Sequence, residues 1–361
     1  MRLQRLGLVS FGDLLPRMRG TPPEVLVKQM GRAPSAASTT DSRSSAEGTP
    51  YEPHPLDYEW RFASDTTARL AARLAAGSHR VAVLGAPTVH QQLLSMGCRS
   101  TLFDRNPLHA RAFGNTFVCG DLIETPGRVR RRFPVIFMDF PWYPDVANAW
   151  LRFAMRVIEP GGSLFLSMWP DLIRPTALDE RDELLSSLRL GATTTVRRDR
   201  LRYAVPMFER LAYAELGLTL PDMWRAGDLV EATEVSPDRV VLPSSRLVVD
   251  SWWFRCVCGT RQIAIRDVVN RSRPTLQPVG NPPSMYLHTV SRRDPTRSAI
   301  DVWASNDAVA AATGETHFVA ALSGKTYPNA AAARALLARA GMLHANAEVD
   351  LTWRHKEWRS R

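Results

Sequence analysis

The feature that most restricts how this chain can fold is a regular alternation of short apolar runs and helical patterns between residues 79 and 169. RVAVLGA, STLFDRN, TFVCGDL, FPVIFMDF and SLFLSMW are runs rich in Val, Leu, Ile and Phe, and VHQQLLSMG, PLHARAFG and DVANAWLRFAMRVI separate them. Apolar strands that alternate with helices predict a parallel sheet covered by helices on both faces. Ahead of the first strand, DYEWRFASDTTARLAARLAAG carries apolar residues at helical spacing, a start signal at Ser64, Asp65 and Thr66, and a stop at Gly77. After the last strand, LDERDELLSSLRLG reads as a helix, and TTTVRRDRLRY and VPMFERLAYAEL read as two long strands around Pro206. The expected fold is α/β, a Rossmann-like parallel sheet ending in an antiparallel strand hairpin.

At 361 residues the chain is longer than one common domain, and its composition changes along its length. Residues 1–32 hold a short helical pattern, and 33–56 are small, polar and proline-bearing, as in a flexible linker. The α/β domain takes 57–220. Residues 221–361 form a C-terminal α+β module that could select a substrate, with SRLVVDSWWFRCVCGTRQIAIRD alternating like antiparallel strands. Within it, NAAAARALLARAGML is a helix pattern stopped at Gly341, and WRHKEWRSR is a basic aromatic tail. No apolar run is long enough to cross a bilayer and the N-terminus lacks a signal-peptide pattern, so a cytoplasmic location and no membrane partner are expected.

Four cysteines are too few for a disulfide scaffold, and the CxC of Cys256 and Cys258, with eight histidines outside HxH or HxxxH spacing, predicts no metal site. Buried thiols are the expectation. The formal charge of +10 favours a polyanionic partner, DNA or RNA first, although arginine-rich solvated faces would account for the same number.

In open parallel sheets, ligands bind outside the carboxyl ends of the strands near the switch in strand order. Gly85 ends the first strand, and Ala86, Pro87 and Thr88 lead into a helix. Asp104, followed by Arg105, ends the second strand 19 residues later, the spacing at which such folds hold ribose hydroxyls. Asp121 and Leu122 follow the third strand, and Asp139 ends the fourth within MDFPWYP.

With Glu159 to Gly162 reading EPGG before the fifth strand, residues 57–216 resemble the class I S-adenosylmethionine (SAM) dependent methyltransferases. The resemblance implies SAM as cofactor, held by Gly85, Ala86, Pro87, Thr88, Asp104, Arg105, Asp121 and Leu122. MDFPWYP is similar to the DPPW or NPPY signature of enzymes that methylate adenine N6 or cytosine N4, with Phe140 where the first proline is usual. Asp139 and the carbonyl beside Pro141 would accept hydrogen bonds from an exocyclic amino group. Trp142 and Tyr143 would stack on a flipped base. A DPPY-like strand end also occurs in aminopropyltransferases that make branched polyamines, which gives a second enzyme reading. A third is a degenerate methyltransferase-like scaffold, whose N-terminal segment would meet a protein partner.

Overall fold

The structure is a computed structural model that describes residues 49–361, apart from 79, 121, 123–128, 130, 172, 215–219, 221–223, 244–246, 267–274, 281–283, 288–293, 314–334, 336, 343–351 and 361. The helical segment expected over 1–32 lies outside the described residues, as does the first half of the NAAAARALLARAGML pattern, whereas Leu337, Ala338 and Arg339 are helical and Gly341, with φ of 69°, follows them as the expected stop. Among the described residues no helix is long and apolar enough to cross a membrane.

The elements run α1 Ser64–Gly77, β1 Arg80–Leu84, α2 Pro87–Ser95, β2 Arg99–Asp104, α3 His109–Phe113, β3 Phe117–Cys119, β4 Phe133–Met138, α4 Pro144–Val157 and β5 Ile158–Met168. Then come α5 Ala177–Arg189, β6 Thr193–Arg202, α6 Met207–Ala214 and β7 Ala226–Thr233. These seven strands form one sheet in the order β3-β2-β1-β4-β5-β7-β6. The first five are parallel, whereas β7 pairs antiparallel with both β5 and β6. This is the Rossmann-like arrangement expected, a parallel sheet that ends in an antiparallel pair.

Local patterns account for the core. Val81, Ala82, Val83 and Leu84 are wholly buried, as a strand between two covering layers must be. In α4, Val146, Trp150, Phe153 and Val157 recur every three or four residues and turn one stripe onto the sheet. Asp65 sits in the first turn of α1, where its carboxylate accepts from the Thr66 N–H at 2.7 Å and complements the helix dipole.

The strand expected over VPMFERLAYAEL is instead α6. Phe208, Glu209, Ala212 and Tyr213 are buried, a helical spacing, and the Pro206 carbonyl accepts from the N–H groups of Glu209 and Arg210. The true partner of β6 is β7, beyond Leu220, so the sheet extends to Thr233.

A second sheet holds β8 Leu247–Cys258, β9 Arg261–Arg266, β10 Thr275–Gln277, β11 Val302–Ala304, β12 Val309–Thr313 and β13 Thr352–Ser360. Its order is β10-β12-β11-β9-β8-β13, antiparallel throughout. The basic aromatic tail is therefore an edge strand on β8, since its backbone completes the ladder there. Cys256 and Cys258 are buried in this sheet's core.

Residues 49–56 do not behave as the linker expected for them. Tyr51, His54 and Leu56 are buried, the Glu52 N–H donates to the Thr260 carbonyl at 2.8 Å, and a His54 ring nitrogen lies 3.0 Å from the Trp303 carbonyl oxygen. Asp57 then ties the two sheets together. Its carboxylate accepts from Arg255 of β8 at 2.6 Å on both oxygens, meets Arg105 at 3.3 Å and accepts from the Asn106 amide at 3.2 Å. Arg255 is wholly buried, so removing its counter-charge strands a cation in the interior. Asp57→Ala is expected to cost about 3 to 5 kcal/mol in urea unfolding, and a loss below about 1 kcal/mol would remove Asp57 from this role.

Candidate active site

The strand order reverses between β1 and β4, so the crevice of an open α/β sheet opens above Leu84 and Met138. The next residues, Gly85 and Asp139, face each other there. The Asp139 N–H donates to the Leu84 carbonyl at 2.9 Å, and the Gly85 N–H donates to the Phe103 carbonyl at 3.0 Å. Gly85 has φ of 70°, and a Cβ on it would come within 2.6 Å of the Trp150 ring and 2.8 Å of the Asp139 carbonyl oxygen. Packing under Trp150 therefore demands glycine here, whatever binds above. Ala86, Pro87 and Thr88 open α2 at the same edge and are buried.

Asp139 is held rigidly. Its Oδ1 accepts from Ser167 Oγ at 2.6 Å and from the Tyr203 hydroxyl at 2.8 Å, so β5 and the end of β6 both grip the carboxylate. Burial pushes its pKa up to about 7 against the opposing pull of those two hydroxyls and of Arg225. Burial and the Asp139 charge in turn hold the Tyr203 phenol well above its ordinary value.

The rest of the motif packs inward. Phe140 is buried with its ring edge-on to Trp169 at 6.1 Å, which gives the residue in the first-proline position a core role. The Pro141 carbonyl accepts from the Tyr143 N–H at 2.6 Å. Trp142 is buried, edge-on to Tyr203, and the Arg225 guanidinium lies 4.6 Å from its ring centre. The same guanidinium stands 3.9 Å from the Trp60 ring, while Glu209 accepts from Trp60 Nε1 at 2.7 Å and from Arg225 at 3.5 Å. The face of Trp142 expected to stack on a base is thus covered by Arg225. Tyr143 is the half-buried ring of the motif and touches Tyr58 edge-on at 5.9 Å.

At the end of β2, Asp104 Oδ1 accepts from the Asn106 N–H at 2.8 Å. Burial, then the nearby charges of Asp57 and Glu59, raise its pKa to about 7 against that hydrogen bond and Arg105. His109 Nε2 lies 3.9 Å from its other oxygen, and burial drives His109 down to about 4, so the ring is neutral at pH 7. Both His109 ring nitrogens and Glu59 Oε2 are buried without a hydrogen-bond partner among the described residues. Arg105 turns away from this cluster toward Asp57, the Leu56 carbonyl and the Tyr58 ring. Leu122 is buried in the main core, and Asp121 lies outside the described residues.

The site also recruits residues that no local pattern marked: Trp60, Glu209, Tyr203 and Arg225 meet from four separate segments. Ser167 did leave a signal. A hydroxyl in the apolar run SLFLSMW needs a buried partner, and Asp139 is that partner.

No protein-family model matches the chain, and no curated protein matches it. Among solved structures, the chain is similar to a branched-chain polyamine synthase mutein from Thermus thermophilus in complex with N4-aminopropylspermidine and 5'-methylthioadenosine. The two are 17% identical over 67% of this chain and 84% of that one, with a TM-score of 0.46. It is also similar to a magnesium protoporphyrin IX methyltransferase from Synechocystis with bound SAM, at 14% identity over 47% and 78% of the two chains and a TM-score of 0.32. A third is a Thermus thermophilus 16S rRNA N2 methyltransferase in complex with AdoMet and guanosine, at 13% identity over 60% and 48% and a TM-score of 0.33.

The geometry at Gly85 makes a direct test. Gly85→Ala combines a left-handed backbone with a clash against Trp150, and is expected to destabilise the fold by about 2 to 4 kcal/mol in denaturant titration. A change under about 0.5 kcal/mol would mean that the crevice is looser than described.

Proposed function

We propose that this chain is a SAM-dependent methyltransferase whose acceptor is an exocyclic amino nitrogen of a nucleobase in DNA or RNA, of the adenine N6 or cytosine N4 type. The observation that carries the reading is Asp139, a carboxylate at the switch point gripped by Ser167 and Tyr203 and tuned to about pH 7.

The residues present fit the cofactor. His109 and Glu59 offer buried polar atoms beside Asp104 that have no partner among the described residues, and ribose hydroxyls, which both donate and accept, match such a set. When bound, SAM supplies a methyl group made electrophilic by a sulfonium. Gly85 to Thr88, Asp104 and Leu122 would hold it, with Asp121 after β3 as the further candidate. Asp139 accepts a hydrogen bond from the acceptor N–H, turns the nitrogen lone pair toward the methyl group, and takes up the proton the nitrogen loses after transfer. Tyr203 and Ser167 keep the carboxylate in one orientation while it does so. With Trp142 covered, Tyr143 is the ring that receives the base face. The chain's charge of +10 suits a polyanionic acceptor.

The aminopropyltransferase alternative draws on a different observation. Trp60, Trp142 and Glu209 surround a cation, Arg225, beside Asp139, and such a setting also suits a protonated amine. Decarboxylated SAM with polyamines is the competing assay.

The first measurement is calorimetric titration with SAM and S-adenosylhomocysteine. Asp104→Ala is expected to weaken binding by about 1 to 3 kcal/mol, and no binding by the wild type would end the reading. The second is methyl transfer to unpaired oligonucleotides. Asp139→Ala is expected to lose about 10²- to 10⁴-fold in turnover while keeping SAM affinity. Because the acceptor needs Asp139 as a carboxylate, the rate should rise with pH through about 7. Tyr203→Phe removes a hydrogen bond that favours the ionised form, so its rise should move to higher pH. A profile flat across pH 6 to 8 in both would take the proton-accepting role away from Asp139.

A further inference from the structure

Between α1 and the upper half of β6 lies a cavity of about 300 Å³, apart from the strand-end crevice. Leu70, Leu201 and Leu229 form its apolar floor. Its rim carries Arg69, Arg73, Arg197 and Arg200, all exposed, and no lysine. Two carboxylates answer these four cations: Asp65 pairs with Arg69 at 2.9 Å, and Glu231 is shared by Arg73 at 3.0 Å and Arg197 at 2.8 Å. Arg200 has no ion-pair partner among the described residues. The rim therefore keeps a net positive charge in a chain that is itself strongly basic.

The position of the groove matters as much as its charge. Leu201 pairs with Gly227, where a Cβ would meet the Met168 carbonyl, so the groove reaches the level at which β5 ends. Two residues further, Tyr203 donates to Asp139. A chain lying in the groove is thus led toward the gripped carboxylate.

We infer that this groove is the docking track for a single-stranded nucleic acid, an inference that rests on the function proposed above. Guanidinium groups spaced along a groove suit phosphodiester oxygens, which they can meet in a bidentate manner. The leucine floor suits the face of an unstacked base. A duplex cannot use that floor, because its bases are stacked inside. An acidic protein surface would satisfy the arginines and leave the floor empty of a planar partner.

The test is fluorescence anisotropy of the full chain with labelled 12-nucleotide DNA and RNA strands over a range of salt. The Arg73→Ala/Arg200→Ala double variant is compared with Arg99→Ala/Arg189→Ala, which removes the same charge at the opposite end of the sheet. All four residues are exposed, so both variants should fold. The groove variant is expected to bind about tenfold more weakly. Its slope of log affinity against log salt should be shallower by about 1.4, the release expected for two phosphates on a single strand. The control should change neither, and the same sequence as a duplex should bind less tightly. Equal loss in both variants, no loss in the groove variant, or equally tight binding of a polyglutamate peptide would each overturn the inference. SAM titration of the groove variant separates the two readings. Unchanged SAM affinity with weakened strand binding places the defect in the groove, whereas a wild type that binds strands through these arginines but transfers no methyl group keeps the groove and removes the proposed chemistry.

Discussion

The architecture around the site depends on one buried carboxylate. Asp57 receives Arg255 from the second sheet and both Arg105 and Asn106 from the loop that follows Asp104. Asn106 in turn donates to Gln262 of β9 at 3.1 Å, so the loop is fastened to the second sheet twice. Ion pairs this deep gain little net stability over an apolar contact, but each partner is costly to leave alone, which makes the arrangement exacting about geometry. The positions of Asp104 and His109 follow from it. The second sheet is therefore structural support for the end of β2 as well as a neighbour.

Burial raises the carboxylates at the ends of β2 and β4 to about the same pKa, near 7, although their other neighbours differ. Asp104 stands among other carboxylates, balanced by Arg105 and by a backbone N–H. Asp139 is surrounded by hydroxyls and lies near Arg225. Hydroxyl donors restrain the orientation of a carboxylate and favour its ionised form without neutralising it. Carboxylate neighbours instead favour the protonated form. The difference between the two strand ends is thus electrostatic.

Arg225 belongs to the same logic. Its guanidinium lies between Trp60 and Trp142 with Glu209 as its charge partner, a desolvated cation–π arrangement that arginine, weakly hydrated and planar, tolerates better than lysine. It covers Trp142 and bears on the charge of Asp139 at once. A motif read as one linear string is here divided between core and crevice: Phe140 and Trp142 pack inward, while Asp139 and Tyr143 stand at the strand end.

Much of the fold was legible because sheet order and helix faces are written in local periodicity. The buried run of β1, the stripe of α4 and the strand-end acids Asp104 and Asp139 could all be placed from the sequence alone. The segment of α6 reads as a strand in sequence because its apolar residues fit either period, and only the Pro206 carbonyl accepting from Glu209 and Arg210, with Phe208 and Tyr213 buried together, makes it a helix. β7 was missed because AGDLVEAT has no hairpin turn tying it to β6; its place between β5 and β6 is a long-range pairing. Residues 49–56 read as linker because their composition is polar and proline-bearing, whereas their burial is set by contacts with Thr260 and Trp303 more than two hundred residues away. Patterns a few residues long suffice for the parallel sheet and for Asp104 and Asp139 at its carboxyl edge. Which of these acids is gripped, by what, and which aromatic rings stay accessible follow from desolvation and charge pairing among segments that meet only when the chain has folded.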